Sequence, residues 1–225
     1  MYPYPLRLTF ASVAATPKVT ITNASGKVIM SATKTLFSQR EEIKVTANGQ
    51  PLYTIVSQES RITDIPSNWD VIAANGDKLG VVDDDFYTED AANYIKNRAV
   101  ATGLNVLKDH FVNERALKMY WLKNPSGTQL GVIAPDKKSF SLQQLPLADL
   151  TRKIPFFFRF ITPSYFVQLG DRNVMFLQKQ RTLWADTYHL ESNGQFTAAE
   201  EQFLIPSILL AVFYERQQLK ALYEN

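Results

Sequence analysis

The chain has 225 residues, 45% of them hydrophobic and 20% charged, enough for a sizeable core in one large domain or two small ones. Twenty-four Lys and Arg against 22 Asp and Glu leave a net charge of +2, which excludes a nucleic-acid binder working by bulk positive charge. The lack of cysteine excludes a disulfide framework, a thiolate nucleophile and a cysteine-held zinc, and two histidines leave little for a His-rich metal centre.

In chain order, the opening MYPYPLRLTF carries two prolines and no basic region ahead of an apolar run, so it does not read as a signal peptide. Strands are predicted at 6–13, then at 18–23 and 27–33 around the turn Ala24-Ser25-Gly26. Strands 43–47 and 52–56 flank Asn48-Gly49, a pair that prefers the type I′ turn matching strand twist. Strands 69–74 and 79–82 flank Asn75-Gly76, and 120–123 and 130–133 flank Pro125-Ser126-Gly127. Strands 165–169 and 173–179 flank Gly170-Asp171, and 183–190 follows. About twelve strands joined mostly to their sequence neighbours imply an antiparallel meander, closed as a barrel or stacked as a sandwich.

One echo runs through the hairpins. Trp69 leads through Asn75-Gly76 to Leu79-Gly80-Val81, and Trp121 leads through Ser126-Gly127 to Leu130-Gly131-Val132. Two hairpins with a common turn grammar explain it, and a glycine in each return strand marks a bulge or a close backbone approach.

Two regions break the alternation. The first, 84–116, reads as an acidic, partly helical insertion with helices at 91–98 and 104–116. The second is the C-terminus, with a helix over 197–222. Thr197 followed by Glu200 is a capping-box pattern. From Phe203 to Phe213 the helix is apolar all round, so protein or lipid must surround it. Pro206 predicts a kink near Gln202. The apolar run 203–214 rises about 18 Å as a helix, short of the roughly 30 Å hydrocarbon layer, which favours a buried element over a membrane span. The run 154–167 carries Arg159 and two prolines and suits no lipid-exposed helix. A cytoplasmic chain is expected.

The hairpin 27–52 (KVIMSATKTLFSQREEIKVTANGQPL), the segment 69–82 with its Leu-Gly-Val, and 163–180 (PSYFVQLGDRNVMFLQKQ) ahead of an all-apolar helix resemble the tubby C-terminal-like superfamily. That superfamily includes the tubby, phospholipid scramblase and LURP-one-related proteins. The resemblance spans nearly the whole chain and rests on loose structural motifs. It implies a mainly β fold: a closed antiparallel barrel of about twelve strands with a buried hydrophobic C-terminal helix through its centre, one domain over 1–225. The chain departs from it at 84–116, where a basic link running straight into a strand would be the pattern.

Chemical motifs are sparse. There is no Gly-x-Ser-x-Gly elbow, P-loop or Gly-x-Gly-x-x-Gly. His110 and Glu114 stand at i, i+4 with Asp109 beside them, and His189 and Glu191 stand two apart on a strand, but each pair is half a metal site. Asp83, Asp85, Glu89 and Asp90 lie in the richest carboxylate run and are the weak calcium candidates. An EF-hand count from Asp83 puts Thr88 where glycine is required. Basic residues gather late in the chain: Lys137, Lys138, Arg152, Lys153, Arg159, Arg172, Lys179 and Arg181, against Asp149 and Asp171, and all but Arg159 are the candidate anion contacts. On neighbouring strands or loops they would suit phosphorylated head groups.

The expected function is a non-enzymatic binding or scaffold domain, peripheral to a membrane, with an anionic lipid surface or a protein as partner and no cofactor. The alternative is a small-molecule enzyme, such as a hydrolase, using carboxylates and His110. A hollow barrel carrying an apolar ligand is disfavoured, because the last helix would fill it.

Overall fold

The structure, a computed structural model, describes residues 1–11, 16–35, 39–59, 68–85, 119–136, 164–180 and 185–223. Twelve strands close one antiparallel barrel: β1 (Leu6–Phe10), β2 (Lys18–Thr22), β3 (Val28–Lys34), β4 (Glu42–Ala47), β5 (Gln50–Ser57), β6 (Asn68–Ala73), β7 (Lys78–Asp85), β8 (Met119–Lys123), β9 (Gln129–Pro135), β10 (Ser164–Leu169), β11 (Arg172–Gln180) and β12 (Thr187–Ser192). Each strand pairs with its sequence neighbours, and β1 closes the ring against β12 through Leu6↔Leu190 and Leu8↔Tyr188. Closure removes the sheet edges that an open meander of this length would expose.

The meander gives the barrel two unlike ends. Five tight hairpins, β2–β3, β4–β5, β6–β7, β8–β9 and β10–β11, turn at one end. At the Asn48-Gly49 turn both residues have positive φ, 50° and 78°, as the type I′ geometry requires. Every one of these hairpins carries a register shift just past its turn. The unpaired residue of each return strand is apolar: Ile29, Leu52, Leu79, Leu130 and Val174. The Leu-Gly-Val echo is therefore two instances of a grammar repeated five times. The longer connections all leave from the opposite end.

A single helix, α1 (Ala198–Tyr223), follows β12. Its start is the capping box the sequence predicts: Thr197 N–H donates to Glu200 Oε2 at 2.6 Å, and Glu200 N–H donates to Thr197 Oγ1 at 3.2 Å. The helix continues through Pro206, where Ser207 Oγ donates to the Phe203 carbonyl at 2.7 Å. From Phe203 to Glu215 every residue is buried. Leu204, Ile208, Leu209, Leu210 and Val212 are fully inaccessible and share one apolar cluster with the inward side chains of the strands. Each such side chain contributes about 1.5–3 kcal/mol by leaving water. The helix is the core of the barrel, and the strands wrap it.

Two glycines allow close approaches, one to the helix and one between strands. A β-carbon on Gly80 would lie 2.6 Å from the Phe203 ring of α1 and from the Lys123 carbonyl of β8. A β-carbon on Gly131 would run into the Gln168 carbonyl of β10. The glycine of the echo is thus a close approach in both copies.

The predicted strand order holds, with shifted limits. The first strand ends at Phe10 rather than Val13, and the last begins at Thr187 rather than at 183. Asp84 and Asp85 belong to β7, so the first two residues of the insertion expected from 84 are strand, and 86–116 lie outside the described residues. The helices expected at 91–98 and 104–116 lie outside the described residues.

Candidate functional site

Period-two alternation decides which side chains meet α1 at the long-connection end. On β3, Met30 and Ala32 face inward, and Lys34 follows them. On β11, Met175 and Leu177 face inward, and Lys179 follows. On β7 the same parity carries Val82 to Asp84. The strands therefore finish their inner rows with ionisable groups, just where the last fully buried turn of α1 presents Tyr214 and Glu215.

Two buried clusters form around that turn. In the first, Lys34, 3% exposed, pairs with Glu41 at 2.9 Å, donates to Gln217 Oε1 at 2.9 Å, and lies 4.1 Å from the centre of the Tyr214 ring. The Tyr214 ring packs in turn on Trp69, centroids 4.9 Å apart. A lysine this deep is tolerable because a carboxylate, an amide oxygen and a π-face share its charge.

In the second cluster, Lys179 Nζ lies 3.3 Å from Asp186 and 3.8 Å from Glu215. Tyr188 donates its hydroxyl to Glu215 Oε1 at 3.0 Å, and Arg216 Nε donates to Asp186 at 2.9 Å. Burial pushes the Glu215 carboxyl up to about 7, against the opposing pull of Lys179 and the Tyr188 hydroxyl. Burial would also raise Asp186, but Lys179 and Arg216 outweigh it and hold that carboxyl below its ordinary value. Tyr120, Tyr165 and Tyr188 are pushed well up by burial first and by the neighbouring carboxylates second, so all three remain neutral donors.

The hairpin end is a clasp of a different kind. Glu201 of α1 accepts from the Tyr2 N–H at 2.9 Å and from the Tyr4 hydroxyl at 3.0 Å, fixing the segment before β1 to the helix start.

Of the predicted basic set, Arg172 and Lys179 are the two members among the described residues, and they stand near opposite ends of β11. Lys137, Lys138, Arg152, Lys153 and Arg181 lie outside the described residues. Arg172 begins β11 at the hairpin end, where it donates to the Gln195 carbonyl at 2.6 Å and meets Glu200 at 3.4 Å. Lys179 is 5% exposed and committed to its inward pairs, so it is no head-group contact. Of the calcium candidates, Glu89 and Asp90 lie outside the described residues. Asp83 faces outward and binds Lys123, and Asp85 closes β7. Among the described residues no three His, Asp or Glu are grouped to hold a metal ion. His189 lies on the outer face, 3.7 Å from Glu191, whereas His110 is outside the described residues.

Two features escape a reading by composition. One is the pair of inward lysines, whose signal was the strand parity itself. The other is β8, buried on both faces: Tyr120 and Leu122 join the inner core, while Met119 and Trp121 form a second apolar cluster with Val132 and Ala134.

Among the described residues no helix is long and apolar enough to cross a membrane. Compared with known proteins, the chain matches no protein-family model and no curated protein sequence. The architecture, a closed twelve-strand antiparallel barrel with one C-terminal helix, is consistent with the tubby-like fold without identifying it.

Proposed function

We propose that the chain is a non-enzymatic binding domain of the tubby C-terminal-like kind, which meets anionic lipid head groups through basic residues outside its barrel. One observation carries the reading: α1 occupies the barrel interior, and the inward side chains of the strands are spent on packing it. A ligand is therefore met at the outside or the ends. The connection between β9 and β10 carries Lys137, Lys138, Arg152, Lys153 and, within an apolar run, Arg159, against Asp136 and Asp149. It begins and returns at the long-connection end, where Asp136 N–H donates to the Ser164 carbonyl at 2.8 Å. Arg181 follows β11 at the same end. Lys137, Lys138, Arg152, Lys153 and Arg181 form the proposed contact, without Arg159, Arg172 and Lys179.

Sedimentation with vesicles of neutral lipid, and with vesicles containing phosphatidylserine or a phosphoinositide, tests this. Each Lys or Arg near an anionic surface is worth roughly 1 kcal/mol, so four together strengthen binding by two to three orders of magnitude. Binding to anionic vesicles only, weakened by salt and lost on reversing Lys137, Lys138, Arg152 and Lys153 to Glu, is the expected result. Equal binding to both kinds of vesicle, or to neither, refutes it and leaves a protein partner as the alternative occupant.

A further inference from the structure

We propose that Glu215 is a proton-sensitive latch: bound to a proton it seats the C-terminal half of α1 in the barrel, and on losing the proton it loosens that seat. The proposal does not depend on what the domain binds. Its geometry is a carboxyl with 3% exposure on the last fully buried turn of the helix, under-supplied with partners. Oε1 takes the Tyr188 hydroxyl, while Oε2 is buried with no hydrogen-bond partner. The nearest cation, Lys179 from β11, is 3.8 Å away and lies closer to Asp186, at 3.3 Å.

Among the described residues, the other titratable groups that act on this carboxyl are Asp186 ahead of β12, whose charge disfavours ionisation, Tyr165 from β10 and Tyr188 from β12, whose hydroxyls favour it, and Tyr120 from β8. Arg216, next to it on α1, is held by Asp186 and so is not spent on Glu215. An ionised carboxylate here must forgo water for one shared ammonium and neutral phenols, an exchange that favours the protonated form.

The sign follows from linkage. A carboxyl whose folded pKa lies above its unfolded value takes up a proton on folding. The stabilisation is complete below the unfolded value, near 4.5, and is lost as pH rises to the folded value of about 7. The loss spans the mildly acidic range and is nearly complete at neutral pH. It acts at the end of the barrel where the long connections meet.

The test is equilibrium urea unfolding of the full chain and of Glu215→Gln from pH 4 to pH 9. The ratio of the two folding constants should fall about tenfold per pH unit between pH 4.5 and 7 and level off above that. Tyr188→Phe, which removes a hydrogen bond to the charged form, should carry the falling limb to higher pH. Amide exchange at 210–217, corrected for its intrinsic pH dependence, should quicken selectively between pH 4.5 and 7 in the wild type and level off above that, and should do neither in Glu215→Gln. A ratio that stays flat across pH 4.5–7 overturns the proposal. Should Glu215→Gln not fold, the Tyr188→Phe limb and the wild-type exchange decide: an unmoved limb, or exchange at 210–217 that does not change between pH 4.5 and 7, overturns it equally.

Discussion

The Phe203 ring of α1 occupies the space into which a side chain on Gly80 would project, with ring atoms 2.6 Å from where a β-carbon would stand. The contact joins a hairpin bulge to the first buried turn of the helix, so the turn grammar of β6–β7 and the seating of α1 depend on each other. Gly80→Ala should destabilise the protein by about 1–3 kcal/mol, the range for overpacking a filled core. Adding Phe203→Leu should restore only part, because the Lys123 carbonyl lies equally close and is backbone. Urea denaturation of the single and double variants measures both; full recovery in the double variant would show that the ring alone sets the limit.

The buried Lys34–Glu41 pair gives a second prediction. Removing one partner strands a charge in the core, so Lys34→Met alone should cost about 3–5 kcal/mol. The double variant Lys34→Met/Glu41→Leu should recover most of that, since no charge is then left unpaired. A double-mutant cycle by chemical denaturation reads the coupling, and additive losses would mean that the two residues do not share the interaction seen at 2.9 Å.

The helix start supplies a third. Thr197→Ala removes the side-chain acceptor of the capping box and should cost about 1 kcal/mol. The Thr197 backbone N–H, aided by its hydroxyl and by Arg172, holds the Glu200 carboxyl below its ordinary value. A lowered pKa contributes stability above the unfolded value that is lost as pH falls through the folded one. The stability difference between wild type and Glu200→Gln should thus be largest near neutral pH and shrink below pH 4. A pH-independent difference would contradict the cap.

The fold was legible because its signals are local. Asn48-Gly49, Asn75-Gly76 and the other turn glycines mark where each hairpin reverses, and the all-apolar stretch 203–213 leaves a helix no exposed face. Strand ends were less legible, since Asp84 and Asp85 resemble loop residues until pairing with Tyr120 and Met119 holds them in β7. The site was legible only in part. Lys34 and Lys179 look like surface charges in a count of composition, yet each continues an inward row, Met30–Ala32–Lys34 and Met175–Leu177–Lys179. Each has one partner nearby in sequence, Glu41 and Asp186, and one on the distant helix: Glu215 is 36 residues beyond Lys179, and Gln217 is 183 beyond Lys34. No local pattern encodes such a pairing.

Leu209 is fully buried at the middle of α1. Leu209→Asp should cost on the order of 3 kcal/mol or more, through an unpaired charge among the inward side chains of the barrel. Leu209→Met, which nearly conserves volume, should cost less than about 1.5 kcal/mol. Thermal denaturation of the two variants separates burial from mere helix propensity: equal losses would contradict an apolar surround.

The most direct measurement of whether the helix is the core that the strands wrap is calorimetry on the chain ended after Gly194, which keeps all twelve strands and removes α1. Without the helix the inner face of the sheet has nothing apolar to pack on, and the expected result is loss of the cooperative heat-absorption peak. A soluble truncated protein that retains a cooperative transition would contradict the account.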